Sequence, residues 1–345
     1  MTEMRPGPGP RNLITDVPGL KIGQAEDAAV RTGVSVILPD ERAVCAVDVR
    51  GGAPGTRETD ALAPENLVEA VDAVVLSGGS VYGLGAADGV VGWLGAQGRG
   101  YGLIPGVPPS PVVPAAILFD MANGGDKAWG EAPPYRELGR RAVAAADLEF
   151  ALGTAGAGYG AMAGSLKGGI GSASAVTADG YTVGALVAVN CWGSAVAPGG
   201  RTFWAAPYEI GEEFGGLGPE GLRAGPEAWG FAKRPDEARN TTIACVATDA
   251  VLTPAQAKRF AVMAQDGLSR AIRPVHAPFD GDVVFALSTG RRPLEAPADH
   301  TVARLGALVA DALARAVARG VYEAAAWPGT DVACWRDLPA RTPGW

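Results

Sequence analysis

The sequence predicts an α/β fold, on three observations. Short apolar runs of strand length alternate with longer segments of helical periodicity. Hydrophobic residues make up 48% of the 345 positions and charged residues only 19%. That is ample for a large core, and unlike the low-hydrophobicity, high-charge composition of disordered chains. Fifty glycines and 27 prolines break the chain into short elements, with no Gly-X-Y period that would indicate collagen.

The elements follow in order. Residues 1–12, MTEMRPGPGPRN, have no apolar core and predict a flexible leader rather than a targeting segment. Residues 34–38 and 43–49 read as strands, and Pro39-Asp40 between them suggests a hairpin. Residues 73–76 read as a buried strand entering Ser77-Gly78-Gly79-Ser80, followed by a helix through Ala86, Ala87, Val90, Val91 and Leu94. Pro134 opens a further helix, to about residue 146. Residues 183–190 form a smooth apolar strand. Residues 198–239 then turn rich in Gly, Pro and charge. This stretch is longer than an ordinary connection and predicts a mobile loop. It stops at Asn240-Thr241-Thr242, where residues 243–248 begin a strand of high β-propensity. Thr253 and Pro254 supply an N-cap and a first-turn proline for a helix toward Ile272. Residues 283–287 read as a strand. Residues 301–325 read as a long helix with Leu305, Leu308, Val309, Leu313 and Val317 on one stripe.

Charge and composition narrow the function. With Lys and Arg at 29 against Asp and Glu at 37, the net charge is −8. No basic stripe is present for a nucleic-acid backbone. No run of about 20 apolar residues marks a membrane span, so a cytoplasmic protein is the expectation. Only His276 and His300 exist, without the paired spacing of a zinc site. Cys45, Cys191, Cys245 and Cys334 are scattered and read as buried free thiols rather than a disulfide framework. No metal is expected.

Several motifs invite chemistry. The run from Gly78 to Gly89 is glycine-rich, but Asp88 stands where a dinucleotide fingerprint starting at Gly83 needs its third glycine. A tight strand-to-helix turn fits it better. His276 lies four residues before Asp280, yet no G-x-S-x-G elbow exposes a serine for a triad. Asp280-Gly281-Asp282 puts two carboxylates on one face if the backbone is extended. Close carboxylates raise one pKa and can share a proton. By itself the motif also reads as an ordinary acidic turn. Asn240-Thr241, at the junction of polar loop and apolar strand, invites backbone cleavage. Attack by the Thr241 hydroxyl on the preceding carbonyl would free an α-amino group able to act as a base near neutrality. Taken alone, that junction also reads as a loop ending in a strand.

Five stretches carry a resemblance: VLSGGSVYGLGAADGV, VPAAILFD, GTAGAGYGAMAGSLKGGIGSASA, NTTIACVATDAVLTPAQAKRFA and FDGDVVFALSTG. In this order they resemble the self-processing family of L-aminopeptidase/D-esterase (DmpA), β-peptidyl aminopeptidases and nylon-oligomer endo-hydrolase, over nearly the whole chain. The resemblance implies a four-layer αββα sandwich of the DmpA/ornithine acetyltransferase type. It implies one cut, between Asn240 and Thr241, into an α-subunit of residues 1–240 and a β-subunit of residues 241–345. It implies Thr241 as nucleophile, Asp282 as base or hydroxyl-orienting group, and Asp280 as its hydrogen-bonded partner. Asn190 would polarise the acyl oxygen, and Lys167 would pair with the aspartates, although counting from the Gly-Ala-Gly triplet puts the nylon-hydrolase lysine on Ser165. Phe119 stands where family members carry a tyrosine. Phe119, Gly78, Gly79, Ser80 and Tyr82 are the expected substrate-pocket residues.

The function implied is an N-terminal-nucleophile amidohydrolase acting on small peptides or amide oligomers. No cofactor is implied, and the chains would assemble as an oligomer, a tetramer of cleaved heterodimers. Acyl transfer of the ornithine acetyltransferase type, or small-molecule binding by an unprocessed chain, are the alternatives.

Overall fold

The computed structural model describes residues 6–102, 104–220, 222–225, 227–234 and 240–339. Among these residues, thirteen strands and four α-helices follow along the chain. The strands are β1 (Leu20–Asp27), β2 (Thr32–Pro39), β3 (Ala43–Val49), β4 (Thr56–Arg57), β5 (Ala70–Val71), β6 (Val74–Ser77), β7 (Ala115–Ile117), β8 (Met162–Ala163), β9 (Leu166–Lys167), β10 (Gly169–Val176), β11 (Thr182–Val189), β12 (Ile243–Ala250) and β13 (Val283–Arg292). The helices are α1 (Ala86–Ala96), α2 (Tyr135–Ala144), α3 (Pro254–Ala271) and α4 (Ala298–Tyr322).

Two sheets carry the fold. One has the order β1-β2-β6-β7-β4, the other β10-β11-β12-β13-β3-β5. Three separate cores show how they stack. Ile22, Ile37 and Leu76 of the first sheet meet Leu186, Cys245 and Phe285 of the second. The opposite face of the first sheet, with Val34, Val36 and Val75, packs on Val90 and Leu94 of α1 and Leu138 of α2. The opposite face of the second, with Val183, Val246 and Val284, packs on Phe260 of α3 and Leu305 and Leu313 of α4. Neighbouring residues such as Val36 and Ile37, or Cys245 and Val246, thus serve different cores, as the two-residue period of a strand requires. The layers are α, β, β, α, as the resemblance implies.

One expectation needs correction. β2 and β3 are both strands, but they do not form a hairpin. β2 pairs with β1 and β6, while β3 lies in the other sheet beside β13 and β5. Pairing partners are not set by the local sequence, and the turn after Pro39 carries the chain from one sheet to the other. In the described part of the leader, the Gly7 N–H reaches Val176 O at 3.2 Å, and Asn12 Oδ1 accepts Arg315 Nη2 at 2.8 Å. Residues 1–5 of that expectation lie outside the described residues. The described part of loop 198–239 makes contacts of its own. Phe203 meets Phe214 edge-on and stacks on Trp335, and Glu213 takes Arg315 at 2.8 Å. Residues 221, 226 and 235–239 of that loop lie outside the described residues.

All four cysteines are free and buried. Among the described residues no helix is long and apolar enough to cross a membrane.

Candidate active site

The site forms where β12 and β13 begin side by side. These strands pair in parallel from Ile243↔Val283, and a further bridge joins Asn240 to Asp280 just before them. Parallel pairing therefore brings Asn240-Thr241-Thr242 alongside Asp280-Gly281-Asp282, two motifs forty residues apart in sequence. Thr241 is buried, and its N–H donates to Asn190 O at 3.0 Å at the end of β11.

The Asn240 carbonyl receives two donors. The Thr241 hydroxyl donates to it, and the Gly281 N–H lies 3.1 Å away on the same oxygen. Gly281 has no room for a side chain, because a Cβ there would lie 2.7 Å from Thr241 Oγ1. The glycine between the carboxylates is therefore what allows the two segments to close up.

The carboxylates are held separately. Asp282 is buried. Its Oδ1 accepts the Thr242 N–H at 2.8 Å, and its Oδ2 accepts the His276 N–H at 3.1 Å and faces His276 Nδ1 at 2.9 Å. Asp280 Oδ2 accepts the Ala277 N–H at 3.0 Å. Among the described residues no hydrogen bond joins the two, so the expected direct partnership is replaced by interaction through charge. Burial, and then the charge of Asp282, push Asp280 up to about 6; the Ala277 and Trp192 N–H groups and the Lys233 charge oppose the rise.

Asn190 touches Thr241 through its backbone. Its side chain instead ties the cleft wall, with Nδ2 donating to Phe119 O at 3.1 Å and Oδ1 accepting the Met162 N–H at 2.9 Å. Lys167 is elsewhere than expected. It is fully buried, donates to Gly158 O, Ala161 O and Gly168 O at 3.3, 3.0 and 2.7 Å, and lies 4.8 Å from the Trp327 ring centre. Burial pulls it down to about 7, and the groups that oppose the fall are Cys334 and Asp120, not Asp280 and Asp282. A cage of carbonyls holds it away from the aspartates. The cation that faces Asp280 is Lys233, whose Nζ also donates to Asn240 Oδ1.

A cleft of about 590 Å³ opens beside this arrangement, lined by residues that include Phe119, Asp120, Met162, Ser165, Asn190 and Lys233. Of the expected pocket residues only Phe119 is in this lining. Gly78, Gly79 and Ser80 lie behind it: Gly79 has φ +88° and donates its N–H to Asp120 Oδ1 at 2.7 Å, and Thr32 Oγ1 holds Oδ2 at 2.6 Å. Tyr82 is exposed and lies edge-on to Trp129. Sequence reasoning missed the Gly281 N–H and Lys233, and set His276 aside. For Gly281 and His276 the signal was present, in the Asp-Gly-Asp motif and in the short spacing to it. For Lys233 there was none, because its position depends on the course of the loop. Among the described residues no cluster of three or more His, Cys, Asp or Glu is placed to hold a metal.

Comparison with known proteins gives consistent matches. The family model described as peptidase family S58 matches residues 12–334. An uncharacterized aminopeptidase of Mycobacterium tuberculosis is 44% identical, over 95% of this chain and 98% of that one. A 6-aminohexanoate-oligomer endohydrolase of Agromyces sp. is 30% identical, over 81% of this chain and 76% of that one. Among solved structures, the L-aminopeptidase D-Ala-esterase/amidase of Ochrobactrum anthropi, described as a variant of the Ntn hydrolase fold, superposes with a TM-score of 0.69 at 23% identity, over 97% and 92% of the two chains. A Burkholderia sp. β-aminopeptidase superposes with a TM-score of 0.67 at 24% identity, over 94% and 90%. These two likenesses concern the fold.

Proposed function

The chain belongs to peptidase family S58, and on that premise we propose that it cuts itself before Thr241 and then hydrolyses amide bonds of small peptides or amide oligomers through the same residue. The observation that carries this reading is the pair of donors on the Asn240 carbonyl: the Thr241 hydroxyl and, at 3.1 Å, the Gly281 N–H.

The steps follow from that geometry. Thr241 Oγ1 attacks the Asn240 carbonyl carbon. The oxygen becomes an oxyanion, on which the Gly281 N–H is already placed; removing one such donor costs on the order of 10²–10³-fold in rate. The C–N bond breaks, the hydroxyl proton ends on the Thr241 amine, and an ester joins Asn240 to Thr241. Water hydrolyses it, leaving a carboxylate on Asn240 and a free amine on Thr241. That amine, with a reference pKa near 7.7–8.0, then activates the hydroxyl for substrate. Asp282 is fixed one residue from the nucleophile by the Thr242 N–H. It serves as proton acceptor or orients the hydroxyl, a contribution of roughly 10²–10⁴-fold. Substrate enters by the cleft that Phe119 and Asn190 line. The apolar ring of Phe119 offers no hydroxyl to an acyl oxygen, so backbone donors carry that role.

Intact-mass spectrometry tests the reading. The purified protein should give two fragments of about 24 and 11 kDa, apportioning 35.0 kDa by length. Thr241→Ala should remain one folded chain without amidase activity, since it has no hydroxyl for either attack. Thr242→Ala, which removes the neighbouring hydroxyl but keeps the N–H on Asp282, should still be cut after Asn240. A Thr241→Ala chain that is still cut would exclude Thr241 as nucleophile.

A further inference from the structure

We propose that His276 is a positioning residue that locks Asp282 against the start of β12, so that the carboxylate is fixed beside Thr241. This rests on the self-processing reading. His276 has φ +56°, a left-handed conformation that Asn, Asp and His adopt more readily than other side-chain-bearing residues. One residue in this conformation presents two donors to one oxygen: its backbone N–H at 3.1 Å and ring Nδ1 at 2.9 Å from Asp282 Oδ2. The Thr242 N–H holds the other oxygen at 2.8 Å. Asp282 is thereby clamped from both sides, once by the residue after the nucleophile and twice by His276.

The ring contact fixes a tautomer. An ionised carboxylate only accepts hydrogen bonds, so Nδ1 carries a proton. Among the described residues, the Thr241 hydroxyl donates to Asn240 O rather than bonding the imidazole, so His276 acts through Asp282. The ring is also partly exposed, with 21% of its side chain accessible against 2% for Asp282, and stands between the buried carboxylate and solvent. The charged groups around it are Asp282 itself and Asp280, which accepts the next N–H in the chain, that of Ala277, and is faced in turn by Lys233.

Two substitutions separate the ring from the backbone. Both Asn and Gly tolerate a positive φ, but only Asn keeps a side-chain donor near the place of Nδ1. Self-cleavage should be followed by intact mass, and kcat and KM by amide hydrolysis. His276→Asn should stay within a few-fold of the wild type. His276→Gly should lose on the order of 10–100-fold in cleavage rate and in kcat, as expected for one hydrogen bond to a charged group, with KM unchanged. Equal rates for wild type and His276→Gly would overturn the proposal, as would equal losses in both variants, which would mean that the imidazole itself is required. A loss appearing in KM alone would also overturn it.

The tautomer gives an independent reading on the intact chain. His276 and His300 are the only histidines, so ¹⁵N-histidine NMR of the wild type and of His300→Asn assigns both. His276 should show a protonated Nδ1 at neutral pH; a neutral ring protonated only on Nε2 would overturn the proposal. A wild-type chain that never cuts itself, yet shows the protonated Nδ1, would sink the self-processing reading and, with it, the catalytic purpose of the clamp.

Discussion

Gly281 is required at its position by space rather than by backbone conformation. Its φ is not in the left-handed region, so alanine would suit the backbone, but a Cβ would lie 2.7 Å from Thr241 Oγ1 and 2.8 Å from Ala53 O. Something must shift, and the hydroxyl is the lighter part. Misplacing a reacting group by about 1 Å can cost 10²-fold. Gly281→Ala should therefore fold, with a modest loss in Tm, and cut itself at least about 10²-fold more slowly. Intact mass against time measures this, and cleavage at the wild-type rate would show that the close contact does not matter. Lys167 supports a pH prediction at the same scale. Burial lowers its folded pKa from the ordinary value of 10.5 to about 7. Between those values the unfolded chain binds more protons than the folded one, so this residue's contribution to stability rises with pH across the window. Wild type should gain in Tm relative to Lys167→Met as pH is raised from about 7 to about 10. A difference that stays constant would mean that Lys167 remains charged in its cage.

Among the elements, some were legible in sequence for physical reasons that the structure makes plain. β12 and β11 are central strands buried on both faces, so their apolar runs are unbroken. α3 begins as predicted because Thr253 accepts the Gln256 N–H, a cap formed by local contacts alone. The supposed hairpin of β2 and β3 failed because pairing between strands is not local: both were correctly read as strands, and neither partner could be seen. β10 was not read as a strand at all, since its sequence GIGSASAV is poor in β-branched residues. Its small residues answer to α4, which packs close on it. A Cβ at Gly171 would lie 1.9 Å from Ala316 O of that helix. Of the site, the Asn-Thr junction and the Asp-Gly-Asp motif were legible, while Lys167 was misplaced because nothing in its motif reveals a carbonyl cage. The β10–α4 contact yields a prediction of its own. Gly171→Ala should push α4 off the sheet and destabilise by about 1–3 kcal/mol, as overpacking does. Urea denaturation measures it, and an unchanged midpoint would mean that the helix can move away at no cost.

At the scale of the whole molecule, the proposed cut is placed so that it divides the chain without dividing the fold. The segment after the cut, residues 241–345, contributes β12 and β13 to the six-stranded sheet. There they lie between β11 on one side and β3 on the other, both from the segment before the cut. Six residue pairs join β11 to β12, from Val183↔Thr248 to Ala188↔Ile243, and six join β13 to β3, from Val283↔Val49 to Ser288↔Val44. The helices cross the same boundary, with α4 lying over β10 and β11 and α3 over β3. Even the first residue after the cut is held, since the Thr241 N–H bonds Asn190 O at 3.0 Å. Pulling the segments apart would strip partners from both edges of β12–β13 and open two cores, whereas the cut itself breaks one covalent bond at the end of a loop. The self-cut protein should therefore elute from a sizing column as one species holding both fragments in equal amount, and separate only in denaturant. Mixing the denatured fragments and removing the denaturant should be a poor route back, because two central strands must then insert between strands of another chain. A fragment of 105 residues, the length of 241–345, eluting alone under native conditions would show that the sheet does not bind the two segments as its strand order implies.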